Sequence, residues 1–407
     1  MVKISSIQRF ALYIYFFSLA FEMFNIWGLG SAARFAGILY IASLLPTIWD
    51  FVTLKEIGKF LVPLFLLWTL LSLISGFYAY DNSINILDLT LLMNIFLFLV
   101  LINHERKEPK IILKGLLSYS IGIIILTVFY MLGIGIRVEG GRVTIFEENE
   151  NVVGMKISIC IVYLLIEMLE NKLKLNRWRY LFLVPIPFLI KFMCDTGSRV
   201  ATISLTMSIT AAIFMIYKNH NSRKILIGFL VFILTLRFLF NYIVSQETLM
   251  NRFMETYMSG DLEGRNIIWQ SVIGLIKENI LFGVGETGYR LFCLKEFGDY
   301  ASPHNVILEI LAYTGIIGLF IYLKFIYHLI YSSYMSYKKE LNLMPLLLLI
   351  STFGLVLSGQ ALNVKIVWAI YALAASSILK SNRYRKKLLI IKMLDKKILK
   401  LRNENNE

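Results

Sequence analysis

Long apolar runs recur along the whole chain and constrain its fold more than any other feature. Runs of roughly 18 or more apolar residues have the length that a helix needs to cross a bilayer. Of the 407 residues, 57% are hydrophobic and 17% are charged, whereas a soluble domain carries about 25% charged residues. A globular core could not bury so many apolar runs. The sequence therefore predicts an all-α fold, a polytopic membrane helical bundle.

The apolar pattern predicts about twelve transmembrane helices. Their ranges are 8–27, 35–52, 60–79, 84–102, 111–133, 152–169, 180–194, 200–217, 224–243, 304–332, 343–358 and 361–379. We divide the chain into a nine-helix transmembrane region (1–243), a large outer loop with an amphipathic helix (244–303), three C-terminal transmembrane helices (304–379) and a basic tail (380–407). The N-terminus resembles a signal peptide, but the spans that follow at once favour an uncleaved first helix.

The distribution of basic residues predicts the orientation in the membrane. With the N-terminus in the cytoplasm, every predicted inner loop is positively charged, as the positive-inside rule requires, and an even number of helices returns the tail to the same side. The inner-loop basic residues are Lys55, Lys59, Arg106, Lys107, Lys110, Lys114, Lys172, Lys174, Arg177, Arg179, Lys218, Arg223, Lys224, Lys338 and Lys339. We therefore expect both termini in the cytoplasm.

The net charge of +14 does not indicate a nucleic-acid partner, because much of it lies in the tail. Residues 380–407 contain ten Lys or Arg against three Asp or Glu, interleaved with apolar residues. This pattern is typical of a helix that lies on anionic lipid. A solvated tail that only fixes the topology is an equally good interpretation.

The basic residues of the predicted outer loops are mostly arginine, with Lys277 and Lys295 as the exceptions. Arginine presents a fixed fork of donors that suits phosphate or carboxylate, whereas lysine is a hydrated point charge. Arginines on this side suggest an anionic ligand. Pairing with outer acids such as Glu147 and Glu150 is the alternative, and it is the better interpretation for most of them. The outer arginines are Arg34, Arg137, Arg142, Arg199, Arg252, Arg265 and Arg290.

Three residues stand at predicted helix starts on the outer side. Arg199 follows a capping cluster that begins at Asp195, and its charge opposes the helix dipole unless an anion binds there. Arg265 lies in the first turn of the amphipathic helix. His304 lies in the first turn of the tenth helix, where we expect a neutral imidazole that can take a proton from a hydroxyl. A local acid partner for Arg199 and purely structural roles for Arg265 and His304 are the alternatives.

Other motifs point to no cofactor. The GxGxxG match at Gly283–Gly288 lacks a strand–helix–strand context, so we interpret it as a turn back towards the tenth helix rather than a dinucleotide site. No His, Cys or carboxylate spacing is typical of a metal site, and any chemistry is expected to be metal-independent. Three cysteines make no disulfide framework, although a bridge between Cys194 and Cys293 is an option because both are predicted outside.

Several short motifs stand in order along the chain: Thr196-Gly197-Ser198-Arg199, Gly264-Arg265 with Trp269, Leu281–Gly285, His304-Asn305 followed by Gly315 and Gly318, and, more weakly, Asn149–Gly154. Over about 196–318, their order and spacing before two closing helices resemble the O-antigen ligase and O-antigen polymerase superfamily of bacterial envelope proteins. The rest of the chain matches only in helix number.

This resemblance implies a metal-independent inverting glycosyltransferase at the outer face of the bacterial cytoplasmic membrane. The donor would be an oligosaccharide linked to undecaprenyl pyrophosphate. Arg199 and Arg265 would hold the pyrophosphate, and His304 would activate the acceptor hydroxyl. Membrane lipids, a chain-length regulator and a flippase are candidate partners. Further candidate substrate contacts are Arg290, Arg137 and Asn305.

Among the functions in this superfamily we favour a polymerase that joins lipid-linked repeat units of O-antigen or capsule. The residue usage indicates an AT-rich genome, and polymerases are the commoner and more divergent members. One alternative is a ligase that moves glycan to lipid A-core or to protein. Another is a lipid-linked oligosaccharide flippase or transporter, which the lack of an internal repeat disfavours. A transporter would also need charges along a central cavity, and ionisable residues in mid-helix are few: Glu22, Lys156, Arg237 and Glu309.

Overall fold

A computed structural model describes residues 4–24, 31–78, 86–217, 222–259, 265–359 and 361–378, and these residues are mostly helical. The helices are α1 (Ile4–Ser18), α2 (Ala32–Leu44), α3 (Gly58–Phe77), α4 (Ile86–Lys107), α5 (Ile111–Met131), α6 (Glu150–Glu170), α7 (Ile186–Asp195), α8 (Arg199–Ile216), α9 (Ser222–Ser245), α10 (Glu247–Ser259), α11 (Arg265–Glu278), α12 (Gly285–Phe297), α13 (Val306–Glu340), α14 (Met344–Leu357) and α15 (Lys365–Ile378). A two-stranded hairpin, β1 (Ile136–Glu139) and β2 (Arg142–Ile145), connects α5 to α6.

The prediction of a polytopic helical membrane protein is confirmed. In the described part of the chain, nine helices are long and apolar enough to cross a membrane, namely α1 to α6, α8, α9 and α13. Two of these spans include a 3-10 segment that continues the helix, Leu19–Phe21 after α1 and Leu45–Asp50 after α2. The other three predicted spans correspond to shorter apolar helices: α7 with 10 residues, and α14 and α15. A 3-10 segment over Asn176–Leu183 precedes α7 and accounts for the rest of the seventh predicted span.

Helix α6 forms the centre of the bundle. Every residue from Asn151 to Leu169 is buried, as expected for a helix that is apolar on all sides. It packs against α5, α7, α8 and α14. Gly154 allows the closest approach, because a Cβ there would lie 2.9 Å from both Thr196 Oγ1 and Ser198 Cβ. The short turn between α7 and α8, which precedes Arg199, is therefore held directly against α6.

One end of the bundle carries nearly all the structure that was not predicted from the sequence. The stretch between α5 and α6 forms the hairpin, in which Ile136 pairs with Ile145 and Glu139 with Arg142. The predicted outer loop contains α11, as expected, and also α10 and α12. We call this the hairpin end. The basic tail and Gly264 lie outside the described residues.

Helix α13 is broken at Gly315, and the segment 280–284 fills the break. Gly315 has φ 63° and ψ −164°. The N–H of Val284 donates to the Ala312 carbonyl at 2.8 Å, and the N–H of Ile316 donates to the Ile280 carbonyl at 2.9 Å. These bonds satisfy backbone groups that the helix break releases, which a membrane protein requires.

The glycines of the GxGxxG stretch allow its backbone to contact the backbones of neighbouring helices. A Cβ on Gly283 would lie 2.5 Å from the Ala312 carbonyl oxygen, and one on Gly285 would lie 2.5 Å from Ser75 N on α3. The Ser75 hydroxyl also accepts the Glu286 N–H at 2.8 Å. The stretch therefore joins α11 to α12 and docks both against α3 and α13.

We predict that Gly315→Ala strongly destabilises the protein. The backbone there is accessible mainly to glycine, and the added Cβ would lie 2.3 Å from the Leu281 carbonyl oxygen. We expect a loss of about 2–4 kcal/mol in thermal unfolding of the purified protein in detergent. Gly274→Ala in α11 is the matched control, because nothing lies within 4 Å of its Cβ position. An equal effect of both substitutions would contradict this account.

Candidate active site

His304 lies in the turn between α12 and α13 at the hairpin end. The helix begins at Val306, and Asn305 is its N-cap. His304 therefore precedes the first turn of the helix, whereas the sequence predicted it within that turn. Its φ is 50°, and its N–H donates to the Ser302 hydroxyl at 3.1 Å. The Asn305 side chain accepts the N–H of Ile307 at 2.9 Å. The candidate substrate contact Asn305 therefore uses its side-chain oxygen to cap the helix.

The carboxyl group of Glu309 is buried next to this turn. Its side chain is in the first turns of α13, and the residue is only 7% exposed. Glu309 Oε1 accepts the Ser302 hydroxyl at 3.2 Å. A Cβ on Gly359, just after α14, would lie 2.6 Å from Glu309 Oε1 and 3.0 Å from His304 Cα. The first turns of α13 and the residue after α14 thus both pack against the turn that contains His304.

Trp269 connects α11 to the same turn. Its indole N–H donates to the Pro303 carbonyl at 2.8 Å. Arg265 lies four residues before Trp269 in α11, so the two side chains project from the same face of the helix. The structure therefore brings the face that bears Arg265 to the residue before His304. We call Arg265, Trp269, His304 and Glu309 the histidine group.

Arg199 begins α8, which Ser198 caps by accepting the N–H of Ala201 at 3.3 Å. The Arg199 guanidinium donates from Nη1 to the carbonyl of Arg252 at 2.9 Å and to the Thr256 hydroxyl. Helix α10 thus lies against the start of α8. Asp195, the local acid considered as its partner, accepts Lys191 Nζ at 2.6 Å and also bonds Tyr130 and Gln246.

Two further arginines, Arg142 and Arg252, hold the turn before Arg199. Arg142 Nε donates to the Thr196 carbonyl at 3.1 Å, and Arg252 Nη1 donates to the Gly197 carbonyl. Arg142 also lies 3.7 Å from Glu150. Gly197 has φ 64°, and a Cβ there would lie 3.0 Å from Arg142 Cγ and 3.3 Å from Arg252 Nη1. We call Arg142, Arg199 and Arg252 the arginine group.

Arg142 and Arg252 were not singled out in the sequence, where they stood among the outer arginines without a motif. Arg137 was favoured instead, but it lies on β1, exposed, with its Nε 3.1 Å from Glu139. Because Arg142 reaches the Thr196 turn from β2, only the fold of the hairpin distinguishes Arg142 from Arg137. The one sequence signal for Arg142 and Arg252 was that they are arginines on the side of the membrane predicted to disfavour positive charge.

Arg290, the other additional candidate, is paired on α12. Its Nη2 donates to Glu286 Oε1 at 2.7 Å, and its guanidinium lies 5.2 Å from the centre of the Tyr300 ring. Burial alone would lower the pKa of Arg290, but the Glu286 carboxylate raises it overall. Burial also raises the pKa of Tyr300. Arg290 is therefore a fixed cation between an acid and a neutral phenol.

The end of α14 packs against α6 and α8 and against the His304 turn. Gly354 approaches Met155 of α6 and Ser204 of α8, with its Cβ position 2.5 Å from Met155 Sδ and from Ser204 Oγ. Gly359, just after the helix, approaches His304. The end of α14 therefore contacts both α8, the helix that begins at Arg199, and the turn that carries His304.

A buried network of charges anchors the hairpin end. Lys156, in the middle of the bundle and 1% exposed in its side chain, lies 2.5 Å from Glu148 and 3.2 Å from Glu22. Glu22 in turn lies 2.5 Å from Lys365. Burial raises the pKa of Glu148, and the Lys156 ammonium opposes this shift. The network joins α1, the turn after β2, α6 and the start of α15.

No metal or disulfide is evident at the hairpin end. Within the described ranges, no group of three or more His, Cys, Asp or Glu side chains is arranged to hold a metal ion. The three cysteines, Cys160, Cys194 and Cys293, are free and buried. The bridge considered between Cys194 and Cys293 is thus not formed.

A comparison with protein families matches residues 186–323 to the family model described as O-antigen ligase (Wzy_C). These residues are similar to the O-antigen ligase domain. The match covers about a third of the chain and confirms the resemblance to the superfamily. It supports a function of the O-antigen ligase or polymerase type. No curated protein matches the chain.

The matched domain extends from α7 into α13 and includes the whole histidine group. It also includes Arg199 and Arg252 of the arginine group. Arg142 and Gly359 come from outside it. The candidate site is therefore built mainly from the domain and completed by the hairpin and by the end of α14.

We predict that Lys156→Met destabilises the protein by about 3–5 kcal/mol, because it leaves the buried Glu148 carboxyl without its cation. Thermal unfolding in detergent measures the effect. Adding Glu148→Gln, which removes the uncompensated charge, should restore part of the loss. Lys107→Met is the matched control: it breaks an exposed pair with Asp50, and such pairs contribute about 0–1 kcal/mol. A Lys156→Met protein as stable as this control would refute the role of the network.

Proposed function

We propose that the protein is a polysaccharide polymerase. It transfers glycan from an undecaprenyl-pyrophosphate donor to a sugar hydroxyl of a second lipid-linked repeat unit of O-antigen or capsule. The observation that carries the proposal is the hydrogen bond from Trp269 to the Pro303 carbonyl. It joins the helix that begins at Arg265 to the turn of His304, both within the residues that match the O-antigen ligase family.

In this mechanism His304 is the general base. Its imidazole takes the proton of the acceptor hydroxyl, whose oxygen forms a bond to the anomeric carbon of the donor. The bond from that carbon to the pyrophosphate oxygen breaks, and undecaprenyl pyrophosphate leaves. Attack from the side opposite the leaving group inverts the configuration of the anomeric carbon.

Arg199 and Arg265 stabilise the pyrophosphate as negative charge develops on it. Guanidinium groups bind phosphate through paired donors, and both arginines begin helices whose N–H groups also favour anions. Their charge replaces that of a metal ion, so the proposed reaction is metal-independent and needs no cofactor. Hydrogen bonds to the Arg252 carbonyl and the Thr256 hydroxyl support Arg199.

We further propose that the hairpin end faces the outside of the bacterial cytoplasmic membrane, with both termini in the cytoplasm. The positive charge of the predicted inner loops supports this orientation. The donor and acceptor would then reach the site from the outer leaflet, where membrane lipids surround the bundle. A flippase that delivers the lipid-linked unit and a chain-length regulator are the expected partners.

The second candidate is an O-antigen ligase that transfers glycan to lipid A-core or to protein, and the description of the matched family favours it. The transporter is less well supported. Two of the four ionisable residues noted in mid-helix, Lys156 and Glu22, lie 3.2 Å apart in a buried network rather than along a cavity.

One experiment distinguishes these functions. The purified protein in lipid vesicles receives a lipid-pyrophosphate repeat unit, and the products are resolved on a gel. A ladder of increasing lengths identifies a polymerase. Products that form only after lipid A-core is added identify a ligase, and movement across the vesicle membrane without new bonds identifies a transporter.

We predict that His304→Ala and Arg265→Ala lower the transfer rate at least about 100-fold, because they remove the general base and a cation that stabilises the leaving group. Both proteins should insert and unfold as the unmodified protein does. The controls are His328→Ala in α13 and Arg34→Ala in α2, which lie outside the candidate site. Near-normal ladders from either site variant would refute the mechanism.

We predict a smaller defect for Trp269→Phe, which keeps an aromatic ring but loses the donor to the Pro303 carbonyl. The turn of His304 would be less well positioned, and we expect kcat to fall about fivefold to tenfold with little change in the KM of the donor. Trp178→Phe is the control, since Trp178 is 70% exposed. Unchanged kcat for Trp269→Phe would show that this contact does not position the base.

A further inference from the structure

A cavity of about 480 Å³ lies at the hairpin end, between the end of the first helix and the β-hairpin. Its volume falls in the range of about 300–1,000 Å³ that is typical of small-molecule sites. None of the proposed catalytic residues lines it. The lining residues are Met23, Phe24, Gly135, Ile136, Arg137, Phe146 and Glu147.

The lining combines aromatic rings with one cation and one anion. Phe146 and Phe24 pack edge to face, with ring centres 5.0 Å apart, and Arg137 and Glu147 supply donors and acceptors. The opposite charges suit a ligand without net charge that carries many hydroxyl groups. Arg137 already pairs with Glu139 at 3.1 Å. An acyl chain would offer Glu147 no hydrogen bond, and a phosphate would be repelled by Glu147. A sugar ring, with an apolar face and polar edges, fits this lining.

The turn that carries two of these residues is strained. Phe146 and Glu147 have φ 53° and 61°, and the Glu148 N–H donates to the Ile145 carbonyl at 3.1 Å. Turns with two consecutive positive φ values strongly prefer Asn-Gly or similar pairs. Non-glycine residues in this conformation persist where the surroundings enforce them, and they concentrate at functional sites.

The surroundings that enforce the turn are on both sides of it. The Phe146 ring packs against Phe129 and Phe21, with ring centres 6.2 and 6.4 Å away. Glu148, the next residue, is held by the buried Lys156 at 2.5 Å. The strained turn is thus rigidly fixed and presents Phe146 and Glu147 at the cavity.

The hairpin also connects the cavity to the arginine group. Arg137, on β1, lines the cavity, whereas Arg142, on β2, donates to the Thr196 carbonyl beside Arg199. A glycan bound in the cavity would therefore lie across one hairpin from the proposed pyrophosphate site.

We propose that this cavity is a carbohydrate subsite, which binds sugar residues of the glycan away from the bond that forms. The identification of the ligand as the substrate glycan rests on the proposed function. Phe146 provides the surface for a sugar ring, and Arg137 and Glu147 bond its hydroxyl groups.

Binding of free glycan tests the proposal apart from catalysis. The probe is the oligosaccharide released by mild acid from the lipid-linked repeat unit, titrated into the full-length protein in detergent and followed by saturation-transfer NMR. We expect Arg137→Ala and Glu147→Ala each to weaken binding about tenfold. Val138→Ala is the control, because Val138 is on the same strand, 61% exposed and not part of the lining. Unchanged binding in both site variants, or no binding by the unmodified protein, would overturn the proposal.

Glu147→Gly separates a binding role from a structural one. Glycine adopts positive φ without strain, so this protein should melt at an equal or higher temperature while it loses the Glu147 contact. We expect binding about tenfold weaker with unimpaired stability. Binding that stays normal in this stable variant would mean that Glu147 has no part in the subsite.

His304→Ala distinguishes failure of the subsite from failure of the proposed function. This variant should bind the oligosaccharide normally although it makes no product. If Arg137→Ala loses binding in a protein that shows no transfer at all, the subsite stands and the proposed function fails. If transfer depends on His304 and all cavity variants bind normally, the function stands and the subsite fails.

Discussion

The hydrogen bonds between the break in α13 and the segment 280–284 are the constraint on which the hairpin end depends. Backbone groups released within a bilayer must find partners, since each one left unsatisfied costs several kcal/mol. The groups around Gly315 find them in a segment that also ends α11 and begins α12. The hydrogen bonds that membrane folding requires thus also hold the segments of Arg265 and His304 on the bundle. Gly283 in the segment and Gly315 in α13 permit the close approach of the two backbones.

In the arginine group, main-chain carbonyl groups orient the guanidinium groups. Arg252 donates to the Gly197 carbonyl, and Arg199 donates to the Arg252 carbonyl. A carbonyl oxygen orients a guanidinium and carries no net charge of its own. A carboxylate pairs with a guanidinium directly, as Glu150 does with Arg142 at 3.7 Å and Glu286 with Arg290 at 2.7 Å. The turn at the start of α8 is therefore held by arginines that bond main-chain carbonyl groups.

The sequence predicted the helices well because apolar length is a local property, and all twelve predicted spans correspond to helices. The neighbourhood of Arg265 and His304 was expected from the resemblance. The hairpin, Arg142 and Arg252 were not, since they depend on contacts between distant segments. Arg137 and Arg142 are five residues apart in similar settings, and only strand pairing sends one to the cavity and the other to the Thr196 turn.

The position of His304 is itself a tertiary property. Its left-handed backbone is fixed by the Ser302 hydroxyl, by the packing of Glu309 and by the close approach of Gly359. In its proposed role as general base, a His304 held in this way would need little reorganisation when the acceptor binds, which is the main advantage of a preorganised site. Gly359 follows α14, and α14 packs against α6 and α8. The position of His304 therefore depends on packing against α8, the helix that begins at Arg199.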